Sequence, residues 1–295
     1  MLECWHSHCC GLSLEVGTLN MRISGFGHAL FGIAVAGLAI LCLVYGNFAP
    51  LLEPFPAKLP WREVWAYGLG AILLAASAGL YFTRTALVSA IVVGAYGSIW
   101  VAARARAVLP EPLSIGSWYG VFEALGLLLG AWILYALLRR QYGASPVTAT
   151  TGDRALRVAR ALFGAACVEF GAAHFAYASY TASMVPAWLP GPTGFTYLTG
   201  AFQVAAGLGL LVGILPRLAA TLEAVMLCLF GVLVWLPSFF AKPVPKWASS
   251  AQFQWSETLL TFLLAGSAWI VAASLRGAPW GFAPAVPDGS AAPVK

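Results

Sequence analysis

Charge is what this sequence lacks. Only 9% of its 295 residues are Asp, Glu, Lys or Arg, where an ordinary soluble domain carries about 25%. A chain this poor in charge cannot clothe a water-facing surface, which excludes a soluble enzyme. The usual signatures of chemistry are missing too: there is no P-loop, dinucleotide fingerprint, nucleophile elbow or His-x-x-x-His spacing. Histidines number four, and His28 and His174 fall near opposite faces of the membrane, which disfavours paired-histidine haem ligation. Of the six cysteines, Cys42, Cys167 and Cys228 lie in apolar runs and read as small buried hydrophobes. Cys4, Cys9 and Cys10 stand beside His6 and His8. No Cys-x-x-Cys or second ligand pair completes a structural zinc site there, so no metal is expected.

What is abundant is apolar surface: 60% of the residues are hydrophobic and the mean hydropathy is +0.82. The apolar runs last about 20 residues, the length that crosses a hydrocarbon core of about 30 Å as helix. Strand-period alternation is absent, which argues against an outer-membrane barrel. The expected fold class is all-α, a polytopic membrane protein. Its eight transmembrane helices are expected near 25–46, 65–83, 85–107, 116–138, 156–178, 195–214, 217–239 and 254–275. Pro and Gly clusters punctuate them, among them "APLLEPFPAKLP" and "MVPAWLPGPTG".

With eight spans both termini share a side. The termini and the second, fourth and sixth loops hold ten of the 16 Lys and Arg residues, the other loops six. Basic residues collect on the cytoplasmic side, so both termini are predicted cytoplasmic and the chain is placed in the plasma (bacterial inner) membrane. The net charge of +5 then reports orientation, and no nucleic-acid partner is expected. The natural-looking start at Met21, "MRISGFGHALFGIAVAG", makes residues 1–20 an N-terminal extension, expected to be disordered. A signal peptide beginning at Met21 is the alternative; a retained helix is preferred because the apolar run outlasts a typical signal.

The two halves look related. "YGLGAILLAASAGL" (67–80) overlays "YLTGAFQVAAGLGL" (197–210) without a gap at seven of fourteen positions, and Leu59-Pro60 keeps the spacing of Leu189-Pro190. A duplication predicts two parallel four-helix units, 21–140 and 154–278, joined by a polar cytoplasmic linker, 141–153, and followed by a tail, 279–295.

Ionisable groups in hydrocarbon are costly and usually face a bundle interior or a partner. At 1.5 Å per residue, Glu169 lies about 12 Å and His174 about 5 Å below the outer face, with Gln203 matching the first depth and Glu257 the second. Five residues apart, Glu169 and His174 are about 140° apart around their helix, so they look toward different neighbours. The expected pairs are Glu169 with Gln203 and His174 with Glu257, with Glu223 outside the cluster. Glu169, His174, Gln203, Glu257 and Tyr197 are the candidate ligand-binding residues, suited to the head group of a quinone. A protonated Glu169 that bonds Gln203 only to hold two helices together is the alternative. Glu123 overlays Glu257 and reads as architectural, with Arg104 and Arg106 as partners. Gly126, Gly130, Gly164 and Gly171 read as helix-packing positions.

The stretch "GAAHFAYASYTASMVPAWLPGPTGFTYLTGAFQVAAGLGLLVGILPRLAA" (171–220) resembles the DoxX-like family of small bacterial membrane proteins. The motifs that carry it are His174-Phe175, Val185-Pro186 and Leu189-Pro190, Tyr197 with Gly200, and the run Gly207, Gly209, Leu210 ending before Arg217. The resemblance implies a four-helix bundle, here doubled, and a noncatalytic accessory role beside quinone-linked or thiol-oxidising oxidoreductase subunits. The family's second span often carries Glu where this chain has Gln203; if that Glu handles protons, either this copy has lost the role or Glu169 supplies it instead, and proton exchange through His174 or Glu169 is chemically feasible. A carrier for a small hydrophobic or weakly acidic solute and an assembly partner of other membrane proteins are the competing readings.

Overall fold

The computed structural model describes residues 21–281 except 51, 55, 57 and 146. The N-terminal cysteines and histidines, and most of the expected tail, lie outside the described residues. Eight long helices form: α1 (Phe26–Tyr45), α2 (Arg62–Gly79), α3 (Ala86–Val108), α4 (Ile115–Gln141), α5 (Asp153–Ala176), α6 (Pro192–Val212), α7 (Pro216–Ser238) and α8 (Ala251–Ser274). Short helical turns at Thr148–Thr151 and Ala178–Ala182 flank α5. Every expected helix is present, and seven are long and apolar enough to cross a membrane. The exception is α2, whose 18 residues open with Arg62 and Glu63.

Local sequence sets the ends. Gly46 and Gly213 close α1 and α6 in the left-handed conformation, at φ 55° and 76°, which glycine adopts without a Cβ penalty. Pro192 and Pro216 open α6 and α7, where a missing N–H costs nothing. The Ser250 side chain accepts the Phe253 N–H at 3.1 Å and caps α8. Within α7, Gly231–Trp235 widens into a π-turn. Pro237 follows it and cannot donate to the carbonyl four residues back, and the wider turn absorbs that break.

Each helix packs on its chain neighbours, and α1 packs on α8 to close a ring; α4 and α8 also pack on each other across the middle. The pairing scheme is unchanged when every helix is replaced by the one four further on. The first helix of each half leans on the last helix of the other half, α1 on α8 and α5 on α4. α2 runs antiparallel to α1 over its whole length: Arg62 donates to Asn47 at 3.0 Å at one end, and the Tyr81 hydroxyl donates to Ala29 O at 2.8 Å at the other.

Close approach is bought with small residues. At the α5–α6 contact, a Cβ on Gly171 would lie 2.6 Å from Gly200 O, and one on Gly207 would lie 2.5 Å from Gly164 O. The two helices therefore touch backbone to backbone, as packing without a hydrophobic driving force requires. At the α4–α8 seam the Ser267 hydroxyl donates to Gly126 O at 3.0 Å, and a Cβ on Gly130 would run into Ser267 and Phe31.

Candidate functional site

About two turns inside the end of the bundle that holds the α3–α4 and α7–α8 loops, acidic side chains from three helices form a layer. Counted from the observed helix ends, Glu123, Glu169 and Glu257 lie about 9–12 Å deep, and Arg104 about 6 Å. Glu123 on α4 is 3% exposed and Glu257 on α8 is 7% exposed. They and Arg104 on α3 are within electrostatic reach of one another. Arg104 lies across α4, where a Cβ on Gly120 would come within 3.0 Å of its Nε. Among the described residues the ion pair closed within 4 Å is the exposed Arg140–Asp153, at 3.1 Å. Arg104 thus attracts two buried acids without closing a direct ion pair, and its Nε, Glu123 Oε2 and Glu257 Oε1 have no hydrogen-bond partner.

Glu169 joins this layer from α5, within electrostatic reach of Glu123. Both of its carboxyl oxygens are buried and unpartnered. It lines an open cleft of about 420 Å³ whose other walls are Pro112, Leu113, Ile115, Trp118 and Phe122. Among the described residues, Glu169 is therefore the one ionisable residue in the wall of an otherwise apolar, partly aromatic cleft between α5 and the start of α4, with its carboxyl oxygens buried in that wall. Tyr119 stands beside it, edge-on to Phe170 at 5.3 Å, with its phenol in reach of all three acids.

Two expected pairings are corrected. Gln203 does not meet Glu169; its Nε2 donates to Glu223 Oε1 at 3.5 Å on the buried α6–α7 contact. Glu223, expected outside any cluster, is Gln203's partner, and Cys167 on α5 faces the same pair. The error is one of depth: α6 begins at Pro192 and not near 195, which lowers Gln203 by about 4.5 Å. His174 does not meet Glu257. Its Nδ1 bonds to Phe170 O at 2.9 Å, its ring stacks on Phe230 at 5.9 Å, and it faces α6 and α7, whereas Glu257 faces α4. Tyr197 stacks on Phe175 at 5.7 Å, near the rim. Of the five candidate ligand-binding residues, Glu169 and Glu257 share a layer and the other three belong to contacts of α6.

The structural positions sit where small or rigid residues serve packing. Gly126 and Gly130 lie on the α4–α8 seam, and Gly164, Gly171, Gly200 and Gly207 on the α5–α6 contact. Pro186 accepts the Leu189 N–H at 2.9 Å in the turn that leads through Pro190 to α6.

A residue that the sequence did not point to is Glu53, in the loop between α1 and α2. It is buried, accepts the Ala49 N–H, the Tyr96 hydroxyl and the Cys42 thiol, and so ties that loop onto α1 and α3. Burial pushes its carboxyl above the ordinary value, against the pull of Tyr96, Ala49, Cys42 and Arg62. The signal available was its isolation: it is the lone acid in the apolar stretch "APLLEPFPA".

These helices and their buried acids define a multi-pass helical membrane protein. Residues 163–272 match the family described as Domain of unknown function (DUF8561), a span from α5 to α8 that carries Glu169, His174, Gln203, Glu223 and Glu257. No curated protein and no solved structure matches the chain.

Proposed function

We propose that this protein is a noncatalytic membrane component that holds a small hydrophobic molecule with a hydrogen-bonding head, such as a quinone, beside a redox system of the bacterial inner membrane. The observation that carries the reading is Glu169: an acid whose two carboxyl oxygens are buried and unpartnered in the wall of an otherwise apolar cleft. Ionisable groups in a membrane interior mark function more often than packing, and about 420 Å³ falls within the size range of small-molecule sites. A carboxyl can donate to a quinone carbonyl or accept from a quinol hydroxyl, while Trp118, Phe122, Leu113 and Ile115 cover the ring and the start of its tail. The DoxX-like resemblance over 171–220 supports the association with oxidoreductase subunits.

The architecture in this reading is a duplicated four-helix unit with eight crossings and both termini cytoplasmic. Support comes from the pairing scheme that repeats every four helices, from the full-length antiparallel packing of α2 on α1, and from the nine arginines at the end that carries the α4–α5 linker. A carrier for a weakly acidic solute is the second reading, favoured by the placement of Glu123 and Glu257 on the α4–α8 seam, where the two halves meet.

Mass spectrometry of the gently purified protein separates the two readings. The first expects quinone, and oxidoreductase subunits, to copurify with the wild type, and the quinone to be lost from a folded Glu169→Gln variant. Equal quinone content in both would refute the cleft as its site, and solute uptake by vesicles holding this protein alone would favour the carrier. Labelling of a single cysteine introduced at Ala144 from outside the cell would overturn the orientation.

A further inference from the structure

The opposite end of the bundle carries a second cleft, of about 200 Å³, between the start of α1, the ends of α4 and α8, and the start of α7. Arg217, in the first turn of α7, and Arg276, just beyond α8, both line it. Arg217 Nη1 donates to Arg276 O at 3.0 Å, and its guanidinium lies 4.0 Å above the Trp280 ring, so it is held in place in the lining. The Arg276 guanidinium reaches over Gly25, where a Cβ would stand 3.6 Å from Nη2.

α1 starts directly after Gly25, with no side-chain cap and no acidic residue in its first turn. Its free N–H groups form the positive end of a 20-residue helix dipole. His28 lines the same cleft and is buried; its Nδ1 accepts the Ser24 N–H at 3.1 Å. The ring proton is then on Nε2, which lies beside the Leu80 carbonyl and completes no hydrogen bond. Two guanidinium groups and a helix N-terminus thus converge on one cleft, and among the described residues none that lines it is an acid. Like charges brought together in this way repel unless an anion sits among them.

The walls turn apolar inward, with Leu134, Leu137, Trp269 and Ile270. All four helices that meet here are long and apolar enough to cross a membrane, so their ends lie at the level of lipid phosphates. A basic pocket between membrane helices at that level matches an acidic head group. We propose that this cleft binds the phosphate of an anionic phospholipid, with Arg217 and Arg276 as its charged contacts and the α1 N-terminus as its backbone donor. The site is separate from the Glu169 cleft and stands whether or not that one takes a quinone.

Native mass spectrometry of the full chain in detergent tests it, with phosphatidylglycerol, phosphatidylcholine or inorganic phosphate added. The wild type is expected to retain phosphatidylglycerol about tenfold more than phosphatidylcholine, and equimolar inorganic phosphate is expected not to displace it. Arg217→Gln with Arg276→Gln is expected to lower that retention about tenfold or more, the scale of lost charge-assisted bonds, while Arg106→Gln at the other end leaves it unchanged. Equal retention of the two lipids by the wild type overturns the proposal without any variant, which keeps the test open if the double variant does not fold. Displacement by inorganic phosphate overturns the lipid as the source of the anion, and unchanged retention in a folded double variant overturns the arginines as its ligands.

Discussion

Replacing Gly171 by Ala places one methyl group where two helices already touch. The new Cβ would lie 2.6 Å from Gly200 O, 2.7 Å from Val204 Cγ2 and 2.8 Å from Val204 N. Two of these three atoms are backbone and cannot rotate away, so α5 and α6 must part by several tenths of an ångström. Overpacking of this kind costs about 2–3 kcal/mol, and the better helix propensity of Ala returns about 1 kcal/mol, leaving a net loss of about 1–2 kcal/mol. Gly68→Ala on α2 is the control, since nothing lies within 4 Å of its Cβ position; there only propensity acts and the change stabilises by about 1 kcal/mol. Gly164 is two turns away, about 10 Å along α5, so Gly164→Ala should add to Gly171→Ala with little coupling. Thermal unfolding in detergent, followed by helix circular dichroism, should place Gly171→Ala below the wild type and Gly68→Ala above it. If Gly171→Ala unfolds at or above the temperature of Gly68→Ala, the backbone-to-backbone contact of α5 and α6 is wrong.

Two further predictions concern buried polar groups. A double-mutant cycle on Gln203 and Glu223 should show coupling of about 1 kcal/mol or more, because each single change to Leu strands the other's buried polar atoms while the double change removes both; additive effects would break the pairing. Glu53→Ala should destabilise by about 2–6 kcal/mol, since the Ala49 N–H and the Tyr96 hydroxyl lose their buried acceptor at about 1–3 kcal/mol each, whereas Glu53→Gln should cost much less. Because the folded Glu53 holds its proton above the ordinary value near 4.5, the unfolded chain binds fewer protons above that pH. This contribution to stability is complete below about pH 4.5 and declines as pH rises toward the folded value. Melting curves of Glu53→Gln should therefore gain on those of the wild type from pH 4 to pH 8, and parallel curves would remove the buried carboxyl from the account.

The periodicity of apolar residues and breakers located all eight helices to within a few residues, because helix ends depend on local chemistry such as Gly46, Pro192 and Pro216. The same is true of the small-residue contacts: Gly164 and Gly171 fall on one face by spacing alone. The polar partners were legible only in part. Glu169 is identifiable as an acid in an apolar helix, but its neighbour depends on depth to within one turn, and three residues of error at the start of α6 were enough to assign Gln203 to the wrong helix. Glu53 was hidden for a different reason: a loop acid reads as solvated until the loop is seen to fold back over α1 and α3.

By itself, then, the sequence determined the environment and the elements. Scarce charge and runs of about 20 apolar residues leave helices in a bilayer as the stable arrangement, since backbone groups in hydrocarbon must be satisfied within the chain. Only the tertiary structure decided which helices meet. That choice rests on azimuth and close approach, set at once by many contacts such as Ser267 with Gly126 and Gly171 with Gly200. It turns Glu169 toward Glu123 and the apolar cleft, leaves Gln203 with Glu223, and gathers Arg217 and Arg276, 59 residues apart, around the start of α1.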